Sequence, residues 1–404
     1  MNHSRSGLLA RAILLFSVVS GNAVDSAEPL FEQQDLFVSG TEGYRFFRIP
    51  AIVVTNEGTV LAFCEGHKLH MFDSGDIDIV MRRSFDGGKT WGPLQVVWDD
   101  GQNASGGPTS VVDRDTGKIF LFPRWNHGGD WQPELQLGRA RDIFRSFVRH
   151  STDDGATWSE PVEITDIVKK PEWLFWGQSP GTGIQLETGP HKGRLVIPCC
   201  FSSFGRDVGY DGFREVFDTH ADHQFGSCLI FSDDHGETWE RSKGVVWPWM
   251  TECHVVELAN GDLMLNFRQA FRKKKVRAYA ISSDGGVTWS EPVLDDTLVD
   301  PYCQGSFIRY TRAGVQDRNR LLHANAADPN YRRNMTVRLS YDEGKSWPVS
   351  RVIEPEGAQY SSMTVLPDMT IGLLYEAEPY KYQRFARFNL EWLTEGQDRL
   401  LSKE

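Results

Sequence analysis

The chain reads as an all-β protein, a six-bladed β-propeller with four-stranded antiparallel blades. Three observations carry that reading. One eight-residue phrase, Ser-x-Asp-x-Gly-x-Thr/Ser-Trp, occurs five times, beginning at Ser84, Ser151, Ser232, Ser282 and Ser340. A fixed phrase returning at domain-scale spacing signals a repeat architecture. Between the copies, short apolar runs alternate with Gly, Asp and Pro turns, the rhythm of many short strands. No long amphipathic helical pattern appears before Phe385.

Taken from the N-terminus, Arg5 and Arg11 flank and precede an apolar stretch, Ala12 to Ser20, and small residues lead on to Ala23 or Ala27. That is the pattern of an export signal. The stretch is too short to span a bilayer, and nothing else resembles a membrane span. Residues 1–27 are therefore expected to be a signal peptide, and the protein to be secreted or periplasmic. No low-complexity linker divides the rest, so residues 28–404 read as one domain.

Strand candidates follow in order: Ile52 to Val54, Val60 to Phe63, Ile77 to Met81, Ile119 to Phe122, Leu195 to Ile197, Leu263 to Phe267, Val276 to Ile281 and Ile371 to Tyr375. Each repeated phrase is turn chemistry. The Asp carboxylate accepts from backbone N–H groups downstream, Gly supplies positive φ, and the hydroxyls satisfy other turn groups. The closing Trp brings a large apolar face and one N–H that wants a partner. Five near-identical turns are scaffold rather than five catalytic or metal sites. They mark five blades. A sixth, unmarked blade would be closed by strands from both chain ends, and the segment from Asn389 is expected to form a short helix. Such toroids hold about this many residues as one unit.

Composition excludes several classes. The net charge is −12 and the only basic run is Arg272-Lys273-Lys274-Lys275, so no nucleic-acid partner is expected. Six Cys, at 64, 199, 200, 228, 253 and 303, form no dense framework and no Cys-x-x-Cys, which leaves disulfide pairing open. His220-x-x-His223 with Asp218 and Asp222 lacks the helical context of a metal site, and no metal is expected. Oligomeric state is not encoded visibly, and a monomer is favoured.

The chemistry sits in singly occurring residues. Tyr44-Arg45-Phe46-Phe47-Arg48-Ile49-Pro50 precedes the first turn, and His70-Met71-Phe72-Asp73-Ser74-Gly75-Asp76 leads into the strand before it. Thr251-Glu252-Cys253-His254 and the strand ending Leu265-Asn266-Phe267-Arg268 lie between the third and fourth turns. Tyr331-Arg332-Arg333-Asn334 precedes the fifth, and Gln359-Tyr360-Ser361 and Leu374-Tyr375-Glu376 follow it.

Phe-Arg-Ile-Pro upstream of the repeated Asp-turns resembles the sialidase (neuraminidase) family, in particular bacterial secreted exo-α-sialidases. The resemblance covers nearly the whole mature chain. It implies a substrate of sialylated glycoproteins, glycolipids or oligosaccharides, whose sugar carries a carboxylate on its anomeric carbon. Arg guanidiniums hold such an anion bidentately and stay charged. By the resemblance Arg48, Arg268 and Arg332 converge on it, with Arg333 the neighbouring rival to Arg332. Glu376 would brace Arg48.

Sialidases use a Tyr nucleophile instead of a second carboxylate. A carboxylate attacking a centre that already bears one would meet like-charge repulsion, whereas a neutral phenol does not. A phenol needs an adjacent base at neutral pH. Tyr360 matches the nucleophile and Glu252 its base. Glu257 competes, but it lies five positions along the strand from Glu252, an odd offset, so the two would face opposite sides of the sheet. Asp73 matches the acid that protonates the leaving oxygen and then activates water, with Asp76 as its alternative.

The chain departs from the family where Glu-Gly-Arg is usual: it has Glu65-Gly66-His67-Lys68. Lys68 is expected to supply the missing substrate-binding charge. No cofactor is implied. Trans-sialidases, including the intramolecular kind, would share this whole set, and a non-catalytic Asp-turn propeller remains the reading from another class. Trp125, Trp131, Trp173 and Trp176 stand in inter-turn segments and read equally as an aglycone platform or as core.

Overall fold

The computed structural model describes residues 1, 27–136, 138–204, 223–246, 250–269 and 274–401. The export pattern, the Asp218/His220/Asp222 group and Arg272-Lys273 lie outside the described residues. Among the described residues helix is confined to single short turns, and none of these helices is long and apolar enough to cross a membrane.

Strand β1 spans Phe31–Val38. The others fall into antiparallel groups in chain order. The first is β2 (Phe46–Val54), β3 (Val60–His67), β4 (Ile77–Ser84) and β5 (Gln95–Trp98). The second is β6 (Ala104–Val112), β7 (Ile119–Asn126), β8 (Arg145–Ser151) and β9 (Val162–Glu163). In the third, β10 (Trp173–Gln178) and β11 (Ile184–Gln185) both border β12 (Leu195–Phe204), followed by β13 (His223–Ser232) and β14 (Glu240–Arg241). The fourth is β15 (Met250–Glu257), β16 (Leu263–Gln269), β17 (Val276–Ser282) and β18 (Val293–Val299).

The long strand β22 (Val349–Val365) belongs to two groups. Its first half completes β19 (Ser306–Thr311), β20 (Arg320–Ala326) and β21 (Arg333–Ser340). Its second half starts the last group with β23 (Ile371–Ala377) and β24 (Tyr382–Phe388). Strand β1 closes that group by pairing with β24, so the two ends of the described chain meet in one sheet. A short helix, Leu390–Leu393, follows, its first turn capped by the Asn389 side chain, and Trp392 stacks on Phe31 at 4.3 Å.

The first strands of successive groups touch: β2 meets β6, β6 meets β11 and β12, β12 meets β15, β15 meets β19, β19 meets β22, and β22 returns to β2. That closed circuit is a β-propeller, with the inner strands around an axis. The apolar clusters lie between neighbouring sheets. One joins Ile52 and Ala62 to Leu374 and Phe385, another joins Val196 and Leu229 to Val255 and Leu265.

All five repeated turns bond alike. In the first, Ser84 Oγ donates to Asp86 at 2.8 Å and accepts from Gly88 N–H, while Thr90 donates its N–H and hydroxyl to Asp86 at 2.9 and 2.6 Å. The same set recurs at Asp153, Asp234, Asp284 and Asp342. The turns do more than staple themselves, because each packs against the sheet before it. Trp91 meets Phe385 and Trp239 meets Phe120 and Phe122, all edge-on. A Cβ on Gly236 (φ +81°) would come within 2.1 Å of the Phe120 ring, so both the backbone sign and the approach require glycine there. The indole N–H expected to find a partner does so in Trp91 and Trp347. In Trp158, Trp239 and Trp289 it is buried without a protein acceptor.

Candidate active site

Three inner strands are interrupted at one end of the ring. The ladder shifts register between Arg48 and Ala51 in β2, between Thr251 and Cys253 in β15, and between Ala358 and Ser361 in β22. A bulge adds a residue to one strand and re-aims its side chain. Two of these positions hold non-glycine residues at positive φ, Ile49 at +56° and Glu252 at +36°. A β-branched residue there is strained, and such strain survives only where the surroundings enforce it. At Ile49 the enforcing group is Glu376, which is fully buried and accepts the Ile49 N–H at 2.9 Å and the Tyr360 N–H at 3.3 Å.

The bulges turn Arg48, Glu252 and Tyr360 into one cavity of about 360 Å³, lined also by Arg268, Arg332, Asp73, Tyr380, Tyr302, Phe72 and Phe175. Tyr360 stands at its centre. Its hydroxyl donates to Glu252 Oε1 at 2.5 Å and accepts from an Arg268 Nη at 3.0 Å. The same Arg268 nitrogen is ion-paired to Glu252 Oε2. Arg332 lies over the Tyr360 ring at 5.6 Å and donates to Gln359 Oε1 and the Tyr302 carbonyl. Arg48 faces the Tyr380 ring at 4.7 Å and donates to Asp73 and the Met71 carbonyl, both at 2.8 Å. Its Nε lies 3.8 Å from Glu376.

The electrostatics follow from these neighbours. Burial, and then the Glu252 carboxylate, push the Tyr360 phenol well above its usual range, against Arg268 and Arg332. The resting side chain is therefore a neutral phenol whose proton already points at a base. Burial lifts the Asp73 carboxyl, but Arg48, Arg124 and His67 outweigh it and hold it below the usual carboxylate range. Burial raises Glu376, opposed by Arg48. Such an arrangement can bind a carboxylate through its guanidiniums, present an oxygen nucleophile beside its base, and exchange a proton from Asp73.

Not every residue expected here arrives. Lys68 does not line the cavity. Its ammonium lies 2.9 Å from Asp76, 2.9 Å from Asp78 and 3.5 Å from Asp99. Asp78 is buried and also accepts from Tyr44 Oη at 2.6 Å, so a cation is needed beside it and Lys68 is consumed there. The same contact removes Asp76 from the cavity. Arg333 pairs with Asp328 at 2.7 Å, away from the cavity that Arg332 lines.

Glu257 is displaced along its strand rather than merely turned over. It accepts from the N–H groups of Glu187 and Thr188, pairs with Arg312, and lines a second cavity of about 590 Å³ at the other end of the ring. In that larger cavity Glu257 is held by Arg312, and Arg309 by Glu343 nearby, so neither Glu257 nor Arg309 stands beside a nucleophile as Glu252 does beside Tyr360. The chemistry belongs to the smaller one. Of the four tryptophans weighed as an aglycone platform, Trp173 and Trp176 are core, 3% and 0% exposed, Trp125 donates to Asp100, and Trp131 is exposed.

Sequence reasoning missed Arg124, on β7. It lines the cavity floor with Asp73, Glu65, Glu252 and Tyr360, between the rings of Phe144 and Phe175 at 4.9 and 5.7 Å, and pairs with no carboxylate among the described residues. A charge inside the apolar run from Ile119 was its one visible signal. The altered phrase Glu65-Gly66-His67 is explained too. His67, fully buried, bridges Glu65 at 2.9 Å to the His70 carbonyl at 3.0 Å and so ties β3 to the loop that carries Asp73.

Comparison with known proteins adds an independent line. The BNR repeat-like domain family matches residues 58–375. A sialidase from Micromonospora viridifaciens is 38% identical over 376 residues, 91% of this chain and 55% of that protein. An exo-alpha-sialidase from Aspergillus fumigatus is 33% identical over 394 residues, covering 88% of this chain and 86% of that one. The solved structure of the Hadza microbial sialidase Hz136 superposes with a TM-score of 0.74 at 30% identity, over 88% of this chain and 68% of that one. This chain spans only 55% and 65% of the Micromonospora and Bacteroides fragilis sialidases it matches.

Proposed function

The chain belongs to the sialidase family, and on that premise we propose that it hydrolyses terminal α-linked sialic acids from glycoproteins, glycolipids and oligosaccharides with retention of configuration. One observation carries the proposal: a neutral buried phenol, Tyr360, hydrogen-bonded to the carboxylate of Glu252 beneath the guanidiniums of Arg268 and Arg332.

In this reading Arg48, Arg268 and Arg332 clamp the substrate carboxylate, and Glu376 holds Arg48 in plane. Arg48 holds Asp73 in the resting site, so the arriving carboxylate takes over Arg48 and weakens the interaction that keeps Asp73 ionised. Asp73 then carries a proton to the leaving oxygen. Tyr360 Oη attacks C2 as Glu252 takes the phenolic proton, the C2–O bond to the aglycone breaks, and a tyrosyl-linked sialyl-enzyme forms. In the second half Asp73 removes a proton from water, water attacks C2, and Glu252 returns its proton to Tyr360. No metal or cofactor takes part.

The pattern of Arg5, Arg11 and the apolar run from Ala12 supports export to the periplasm or medium. A monomer is favoured. The test is incubation of the purified protein with a fluorogenic α-sialoside and with 3′-sialyllactose, followed by product analysis. Free sialic acid is expected, released first as the α-anomer. A transferred or anhydro sugar would replace hydrolysis by trans-sialidase chemistry, and no release from any linkage would refute the enzyme reading.

A further inference from the structure

The turn between β23 and β24 is strained at two places. Glu378 and Tyr380 both stand at positive φ, +41° and +61°, and neither is glycine. Such backbone is costly for any residue with a Cβ, lasts only where the surroundings enforce it, and gathers at functional sites. Here the enforcement is visible. Glu378 N–H donates to the Gly357 carbonyl at 2.7 Å. A Cβ on Gly357 would come within 2.8 Å of Pro379 Cδ, so the turn lies directly on that backbone. The Ser39 hydroxyl donates to the Tyr380 carbonyl at 2.6 Å and accepts the Phe47 N–H at 3.1 Å. The Gln383 side chain, at the start of β24, donates to the Phe47 carbonyl at 3.0 Å. The turn that carries Tyr380 is thus tied twice to the residue that precedes Arg48.

What the strained turn delivers is a ring against a guanidinium. Arg48 lies over the Tyr380 ring, 4.7 Å from its centroid, and both line the catalytic cavity. Burial raises the Tyr380 phenol against the pull of Arg48, so the ring is a neutral π face and not an anion. That difference decides what Arg48 has left to offer. A carboxylate holds a guanidinium through its N–H groups. An aromatic ring holds it from above its plane and consumes none of them.

In the resting site Arg48 donates to Asp73 and to the Met71 carbonyl. An incoming carboxylate takes Arg48 from Asp73, and the guanidinium then loses one of its holds. Glu376 stays at 3.8 Å from its Nε, and the Tyr380 ring stays on its face. We propose that Tyr380 is a positioning residue for the anion clamp: the strained turn presses its ring onto Arg48 and keeps the guanidinium oriented while its N–H groups pass from Asp73 to the substrate carboxylate. The proposal rests on the sialoside-hydrolysing reading given above.

The experiment measures kcat and KM on a fluorogenic α-sialoside, and calorimetric Kd for the unsaturated sialic acid glycal and for its methyl ester, which lacks the anion. Wild type is compared with Tyr380→Phe, Tyr380→Leu and Tyr380→Asn. Tyr380→Leu removes the ring and should raise KM and the glycal Kd about tenfold, equivalent to about 1.4 kcal/mol. The ester Kd should move less than about twofold and kcat less than about threefold. Tyr380→Phe keeps the ring and should stay within about twofold of wild type throughout. Asn accepts positive φ more readily than Leu, so Tyr380→Asn keeps the turn and should share the loss even where the Leu variant folds poorly. Equal losses on acid and ester would place the ring against the sugar instead of Arg48 and overturn the proposal. So would an unchanged Kd in folded Tyr380→Asn, or a Phe variant as weak as Leu. A wild-type protein that neither binds the glycal nor hydrolyses the sialoside would fail the sialidase reading itself, an outcome distinct from the others.

Discussion

Replacing Tyr360 by Phe removes one oxygen and leaves the rest of the cavity as it is. The hydroxyl makes two hydrogen bonds, to Glu252 at 2.5 Å and from Arg268 at 3.0 Å. Those two partners are also ion-paired to each other, so neither is orphaned by the change. The stability cost is therefore that of an ordinary buried hydrogen bond, about 1–2 kcal/mol. Catalysis loses far more, because the bond-forming atom is gone. Glu252 can still act as a base toward water, so the remaining rate is that of general-base catalysis without a covalent step. We expect kcat to fall about 10²- to 10⁴-fold, roughly 3–5.5 kcal/mol of barrier. The arginines are untouched, and KM should stay within about threefold. Steady-state hydrolysis of a fluorogenic α-sialoside measures both constants, and thermal unfolding confirms the fold. The stereochemistry adds a separate readout: direct attack by water would invert the anomeric centre, so residual product should appear as the β-anomer. A kcat within tenfold of wild type would refute the assignment of Tyr360 as nucleophile.

Other perturbations separate residues that sequence alone leaves adjacent. Arg332→Ala should raise KM about 10- to 100-fold through loss of a charge-assisted contact, whereas Arg333→Ala, which breaks the pair with Asp328 and the contact with the Tyr331 ring outside the cavity, should change KM less than about threefold. Lys68→Ala should leave kcat and KM nearly unchanged yet lower the unfolding temperature, because buried Asp78 loses its cation; a large rise in KM would restore Lys68 to the substrate. The repeated turns make a pH prediction. The Thr90 hydroxyl and N–H hold Asp86 down to about 2, and Thr157 does the same for Asp153. A carboxyl depressed in the folded state binds its proton more readily when unfolded, so this stability is present above about pH 3.8 and is lost as pH falls toward about 2. Tryptophan fluorescence should show unfolding setting in across that window, with a shallower pH dependence in the Asp86→Ala, Asp153→Ala double variant.

Much of the scaffold is legible in the chain because its signals are local. Asp-x-Gly followed by Thr and Trp closes its hydrogen bonds within eight residues, and each apolar run from Ile52 to Tyr375 lies in a strand because alternation and turn chemistry are near-neighbour properties. The role of those turns was only half visible. Their tryptophans and glycines pack against the preceding sheet, a contact between residues far apart in sequence, as Trp91 and Phe385 show. The identity of the cavity residues was readable because Arg48, Asp73, Glu252, Arg268, Arg332, Tyr360 and Glu376 each sit in a recognisable phrase. Lys68 was misplaced because a basic residue at a substrate-binding phrase says nothing about the buried acid beside it. Arg124 was missed because it sits in no phrase at all.

By itself, then, the sequence determined an all-β repeat protein, the position of its hairpins and the list of groups able to do chemistry. Those depend on residue type and short-range geometry. The tertiary structure alone decided which of them meet. It did so through three bulges at one end of the inner strands, which turn Arg48, Glu252 and Tyr360 onto the axis, and through the charge partners found elsewhere by Lys68, Arg333 and Glu257, which take those three out of the cavity that Arg332 lines. A bulge inserts one residue and reverses strand parity, so simple alternation cannot foresee it. Nor can residue type say where an ion will be neutralised, because that depends on which opposite charge the fold brings within a few ångströms.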